Sequence, residues 1–319
     1  MDALLDRKLL VISGKGGVGK TTMSAALGLL AAERGRRTVI VEFGEQSRLA
    51  GLFGVAPADP GLETRLAPRL SSISIDPDRA LLEWLQALGG RVSGRILASS
   101  GTFQYFAAAA PGAREIVSMV KIWQLTRGPG RGRPGADLVI LDAPATGHAL
   151  GMLRSPKTFG AIARVGPIVR QTKQVQELLS DPEQTDYVAV ALGTELAVTE
   201  TIEFQEGLKS AVGREPAAVL VNGLLPRRFN GAEMEQIEGL LASGTRAKGR
   251  AARAASPGVV ADAVAAAREA HEQARVQQSQ IARLRRRGFH VVGVPFVWTP
   301  ELELAGIQTL ADRLGRAAD

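Results

Sequence analysis

Cysteine is absent from all 319 residues, which excludes disulfides, thiolate metal centres, iron–sulfur clusters and cysteine nucleophiles together. Only three histidines are present, in unrelated contexts, a poor basis for a zinc site. Aromatic residues make up 4% of the chain, so the core must rest on Leu, Val, Ile and Ala. No run of about 18 apolar residues lacks a charge, and no membrane-spanning helix is expected. Met1 to Arg7 lead into the first strand without the basic, apolar and cleavage regions of a secretion signal. The expected compartment is therefore cytoplasmic.

Lys and Arg outnumber Asp and Glu by 39 to 32, a net charge of +7. That balance suits phosphate backbones, but part of the excess sits in Arg246-Ala247-Lys248-Gly249-Arg250 and Arg283-Leu284-Arg285-Arg286-Arg287. Such runs are usually solvated faces.

Short β-branched or Leu-rich runs alternate with longer helical patterns, as in a mostly parallel sheet covered by helices on both faces. Seven strands are predicted, at Leu9–Ser13, Thr38–Glu42, Ser72–Ile75, Leu138–Leu141, Tyr187–Ala191, Ala218–Val221 and His290–Val294. A helix is predicted from about Lys20 to Arg34, stopped by Gly35. The strand signal vanishes over about 78–130, which implies a helical insertion. A second helical segment is expected over about 231–287. The size fits one α/β domain spanning 1–319 that carries both.

The stretch Ser13-Gly14-Lys15-Gly16-Gly17-Val18-Gly19-Lys20-Thr21-Thr22 fits G-x-x-x-x-G-K-[ST], with a strand before it and a helix after it. Its glycines let main-chain N–H groups and the helix N-terminus wrap phosphate oxygens. In such a loop Lys20 bridges the β- and γ-phosphates of ATP and the Thr21 hydroxyl joins the Mg²⁺ shell. Asp142 ends the apolar strand Leu138-Val139-Ile140-Leu141. At that position an acid lies beside the loop and holds Mg²⁺ through water.

Lys15, just after the first glycine, makes the loop resemble the deviant Walker A group of ATPases. Within that group, Asp142-Ala143-Pro144-Ala145-Thr146-Gly147-His148 is similar to the switch run of the arsenite-pump and tail-anchored-protein-targeting ATPases. Ala110-Pro111-Gly112-Ala113-Arg114-Glu115, Thr199-Glu200-Thr201, Val221-Asn222-Gly223-Leu224 and Val294-Pro295-Phe296 resemble further segments of that family. The resemblance covers nearly the whole chain and implies a P-loop ATPase fold. It also implies a dimer, of like chains or with a paralogue, in which Lys15 reaches the partner's nucleotide. Gly147 would sense the γ-phosphate, while Asn222, Pro295 and Phe296 would hold the adenine. In the targeting branch a helical insertion carries a protein client. Here Leu81, Leu82, Leu85, Ile96, Leu97, Phe103, Tyr105, Phe106, Ile116, Met119 and Val120 suit either a client groove or simple packing on the parent domain.

Two departures stand out. The family's switch aspartate, which positions the attacking water, falls near Gly44; only Glu42 and Glu45 offer carboxylates there. A longer side chain changes the geometry, and a misplacement of about 1 Å can cost about 100-fold in rate. An ATP-binding regulatory subunit without useful turnover is thus the alternative to an ATPase. A partition-type ATPase on DNA also stays open, although the Ala-Pro-Ala-Thr-Gly-His run argues against a nucleic-acid partner. The second departure is the missing thiols, which rules out thiolate capture of metalloid. Titrating arsenite into the protein calorimetrically should therefore give no binding heat at micromolar concentrations.

Overall fold

The computed structural model describes residues 1–44, 47–88, 112–128, 135–162, 167–242, 257–299 and 301–316. Eight strands form one sheet: β1 (Leu9–Ser13), β2 (Thr38–Phe43), β3 (Glu63–Ala67), β4 (Leu70–Ile75), β5 (Leu138–Asp142), β6 (Thr185–Leu192), β7 (Ala218–Leu224) and β8 (Val291–Pro295), ordered β3-β4-β2-β5-β1-β6-β7-β8. Every neighbouring pair is parallel except β3 and β4. The expected α/β sheet is present, but the count of seven strands was one short. β3 escaped notice because Glu63-Thr64-Arg65-Leu66-Ala67 shows only two buried positions, Thr64 and Leu66. A half-exposed edge strand lacks the continuous apolar signature of the central ones.

Alternation along each central strand feeds two cores. Leu9 and Val11 of β1 join Val39, Val41, Val139 and Leu141 on one face, while Leu10 and Ile12 join Ile40, Leu138 and Ile140 on the other. The second face is covered by α2 (Lys20–Glu33) and α11 (Leu304–Arg316), which pack on each other. The first is covered by α5 (Ala113–Arg127), α6 (Thr146–Ile162), α7 (Pro167–Ser180) and α8 (Glu195–Val212). Ten consecutive residues of α2, Met23 to Ala32, are buried, so this helix is apolar all round. Its C-terminus lies where the sequence placed it, with Gly35 at φ +87°.

The remaining helices are α1 (Asp2–Leu5), α3 (Arg48–Leu52), α4 (Pro77–Leu88), α9 (Gly231–Ala242) and α10 (Pro257–Arg286). α4 and α5 pack on each other in the region of the expected insertion, and α9 and α10 fall in the second helical segment. Ile96, Leu97, Phe103, Tyr105, Phe106, Ala110, Pro111 and the run Arg246 to Arg250 lie outside the described residues. Ile116, Met119 and Val120 of α5 are buried against the sheet, and Leu81 of α4 joins them, whereas Leu82 is exposed. Within α6, Pro156 cannot donate to the Met152 carbonyl; the Ser155 hydroxyl does so instead at 2.7 Å. No described helix is long and apolar enough to cross a membrane.

Because Leu27 of α2 is fully buried in the core against β1, β2 and β5, Leu27→Ala should cost about 2–5 kcal/mol. A lower urea midpoint with an unchanged m-value would register it.

Candidate functional site

Strand order brings the site together. From β1 the chain first builds one half of the sheet (β2, β3, β4), returns through β5, then crosses to β6, β7 and β8. The carboxyl ends of β1, β5 and β6 therefore meet at the point where the winding reverses, the usual crevice for a ligand in such a sheet.

Gly14 leaves β1 at φ +154°. A Cβ built on it would lie 2.2 Å from the Val190 carbonyl oxygen of β6, a contact no side chain tolerates. Gly17 and Gly19 follow at φ +82° and +93°, and Gly19 caps the N-terminus of α2. Gly16 and Gly17 are exposed and Val18 is buried, so the loop is pinned from beneath and open above. Thr22 is half-buried in the first turn of α2.

Thr21 Oγ1 donates to Asp142 Oδ2 at 2.6 Å, and Ser24 Oγ donates to Oδ1 at 3.3 Å. Lys20 Nζ donates to the Lys15 carbonyl at 2.9 Å. Burial lifts the Asp142 carboxyl above its ordinary range, aided by nearby Glu42 and opposed by Thr21, Lys20 and Ser24. Burial likewise lowers the Lys20 ammonium, with Asp142 working against that and Arg48 with it. Ser24 was not singled out from sequence. The signal was a hydroxyl three residues after Thr21, hence on the same helix face.

Other expected residues hold partners of their own. Lys15 Nζ pairs with Glu200 Oε1 of α8 at 2.8 Å, a contact across 185 positions of sequence that no local pattern announces. Asn222 Nδ2 donates to the Val18 carbonyl at 2.9 Å and so braces the phosphate loop; its Oδ1 is the amide atom without a partner among the described residues. Phe296 and Pro295 stand at the same end of the sheet: Phe296 N donates to the Leu224 carbonyl at 2.9 Å. Phe296 is 44% exposed and packs edge-to-face on Trp298, which is 70% exposed.

Glu42 lies only 4% exposed. Its carboxylate accepts from the Ser47 hydroxyl and from the main-chain N–H groups of Arg48 and Leu49, and so caps α3. Glu45 lies outside the described residues. Gly147 and His148 are exposed at the start of α6. Together with Phe43, Pro144, Glu115 and Met152, His148 lines a cavity of about 210 Å³. Two hydroxyls flanking the crevice, Ser13 Oγ and Thr146 Oγ1, are buried without a hydrogen-bond partner among the described residues, an unusual state for buried polar atoms.

A nucleotide triphosphate with Mg²⁺ fits these groups. The loop offers a cradle that a Cβ would fill, an ammonium resting on its own carbonyl, and a hydroxyl–carboxylate pair of the hard-oxygen kind Mg²⁺ prefers. No cluster of three or more His, Cys, Asp or Glu side chains suited to a metal occurs among the described residues.

A sequence model of the family described as anion-transporting ATPase matches residues 7–170. The chain is similar to the ATPase BagA of Mycobacterium tuberculosis, with 32% identity over 228 residues, covering 69% of this chain and 66% of that protein. It is 26% identical to an arsenical pump-driving ATPase of Acidiphilium multivorum, over 68% of this chain and 39% of that one. It is also 26% identical to the ATPase get3 of Schizosaccharomyces japonicus, over 64% of this chain and 70% of that one. The chain thus spans just under two thirds of the mycobacterial relative's length.

Asp142→Asn tests the electrostatics. An acid with a raised folded-state pKa stabilises the fold fully below the ordinary carboxylate range, and that contribution is lost as pH rises through the raised value. In metal-free protein near neutral pH the ionised Asp142 is therefore a liability. The variant should melt about 2–4 °C higher there, the shift of about 1 kcal/mol. At acidic pH, where Asp142 is protonated, the difference should vanish.

Proposed function

Since this chain belongs to the anion-transporting ATPase family, we propose that it binds ATP with Mg²⁺ and hydrolyses it as the switch of a two-chain assembly. The observation that carries the reading is the Thr21 hydroxyl held 2.6 Å from the Asp142 carboxylate, directly under a phosphate loop of the required shape.

Lys20 exchanges the Lys15 carbonyl for phosphate oxygens, and its lowered pKa reflects a desolvated ammonium that gains most from a multiply charged anion. The N–H groups of Gly16 to Thr22 cradle the phosphates. Thr21 and Asp142 would hold the metal, with Ser24 orienting the carboxylate. The metal would supply charge neutralisation to the phosphates. Gly147 would report the γ-phosphate, and Asn222, Pro295 and Phe296 would hold the base. To reach a partner's nucleotide, Lys15 would have to leave Glu200.

Slow turnover is the expected regime. Glu42 already satisfies α3 with its carboxylate, and positioning a water would require it to let go of three donors. The alternative, an ATP-binding regulatory subunit paired with a better-equipped paralogue, rests on that same engagement of Glu42. A protein client at the insertion rests only on the resemblance of the switch run to the targeting branch, since the described apolar residues of α5 face the sheet.

Lys20→Ala should lower phosphate release from MgATP by about 100-fold or more, a typical cost of deleting a preorganised electrostatic donor. Release by the unaltered protein no faster than by the variant, with ATP still bound, would favour the regulatory subunit.

A further inference from the structure

The sheet's two outer strands are built differently. On β3 the exposed positions are Glu63 and Arg65, and its register with β4 breaks between Arg65 and Ala67. Charges and irregularity are standard protection against unwanted pairing. β8 has neither over its first three residues: Val291, Val292 and Gly293 keep unbroken register with Val219, Leu220 and Val221 of β7, and no residue of β8 is charged.

The main-chain groups of β8 divide cleanly. Val219 N donates to the His290 carbonyl at 2.8 Å, so in a parallel ladder His290, Val292 and Val294 turn their polar groups toward β7. Val291 and Gly293 turn theirs away from the sheet. Gly293 is exposed, and its missing Cβ leaves room for the Leu224 side chain of β7. Pro295 has no N–H to offer, and its carbonyl accepts from Arg313 Nη1 at 3.2 Å.

A cavity of about 310 Å³ runs along this edge, walled by Val292 to Pro295 and by Arg313, Leu314 and Arg316 of α11. Neither arginine enters an ion pair among the described residues. Basic residues in a last helical turn often just answer the helix dipole. Arg313, however, reaches across to the strand rather than to its own helix's carbonyls. The edge therefore presents free ladder groups, an apolar floor and two uncompensated guanidinium groups side by side.

We propose that β8 accepts an extended acidic segment of a partner protein as a further strand of the sheet. Main-chain bonds to Val291 and Gly293 would hold it, alternate apolar side chains would enter the cavity beside Val292 and Val294, and a carboxylate would meet Arg313 and Arg316. A second copy of the same chain fits less well, because pairing β8 with β8 would set the arginines of both copies against one another.

The test uses the full-length ¹⁵N-labelled protein and two capped peptides, Glu-Val-Glu-Val-Glu and Lys-Val-Lys-Val-Lys. In the free protein the Val291 and Gly293 amides should exchange rapidly with solvent. The acidic peptide should shift those two resonances and slow their exchange, and the basic one should not. Replacing Arg313→Glu and Arg316→Glu together should weaken acidic-peptide binding by about 10-fold or more and turn the preference toward the basic peptide, with the circular dichroism spectrum unchanged. Slow exchange at Val291 and Gly293 in the free protein would overturn the proposal, because the edge would already be paired. So would equal responses to both peptides, or no response at these amides at millimolar peptide.

Discussion

The main chain of Gly14 crosses the carbonyl of Val190 with no space for a Cβ, and the geometry of the crevice follows from that contact. The loop can sit so low only because β1 is flanked directly by β5 and β6. With the loop seated there, α2 begins at Lys20, and its first turn sets Thr21 and Ser24 against the last residue of β5. Apolar burial on both faces of β1 fixes the strand; the strand fixes the loop; the loop and β5 fix the hydroxyl–carboxylate pair. A site of this kind is held at some cost in stability, because burial works against the charged forms of both Lys20 and Asp142.

Charge in the crevice is balanced internally, and the balance is what a ligand must break. Lys15 is held by Glu200, Lys20 by a carbonyl, Asp142 by two hydroxyls, and Glu42 by the N-terminus of α3. An incoming triphosphate competes with the first two. A metal competes with the hydroxyls for Asp142, whose burial-raised pKa means that its ionised form gains from a cation. The Glu42 cap is different, because phosphate offers it nothing. Its three donors all belong to the segment that follows β2, so turnover is tied to whether α3 keeps its cap. On the proposed reading this separates nucleotide binding from hydrolysis, which would need a rearrangement beside β2.

Sequence alone gave the central strands and the phosphate loop because both are local in their physics. Leu9 to Ile12 must be buried on two faces, and a glycine-rich turn between strand and helix has few other uses. β3 was missed because antiparallel edge strands show half a pattern, whereas the interior strand β4, buried at five of six positions, was predicted two residues short because Ser71 and Ser72 break its apolar run. The roles of side chains were less legible. Asn222 was recognisable as a polar residue at a strand end, but its donation to Val18, 204 positions away, is a tertiary fact. Glu42 and Glu200 are of this type too: their residue identities were visible, while their partners were set by strand order.

Strand order also decides where the molecule can grow. The crevice sits at the centre of the sheet, three strands from β8, and Asn222 and Phe296 connect the two regions through β7 and the turn after β8. Phe296 donates its N–H to Leu224 two residues beyond Asn222, and Asn222 braces the loop. If Phe296 holds the nucleotide base as proposed, its rearrangement on binding would pull on the carboxyl end of β8, next to Pro295 and the Arg313 side chain bound to it. The edge and the crevice share covalent continuity through only two residues. A strand added at Val291 and Gly293 would stiffen β8 along its length, restricting the turn that carries Phe296 without touching the phosphate loop. If the edge is an interaction surface, its natural coupling is to base binding rather than to the chemistry at Asp142.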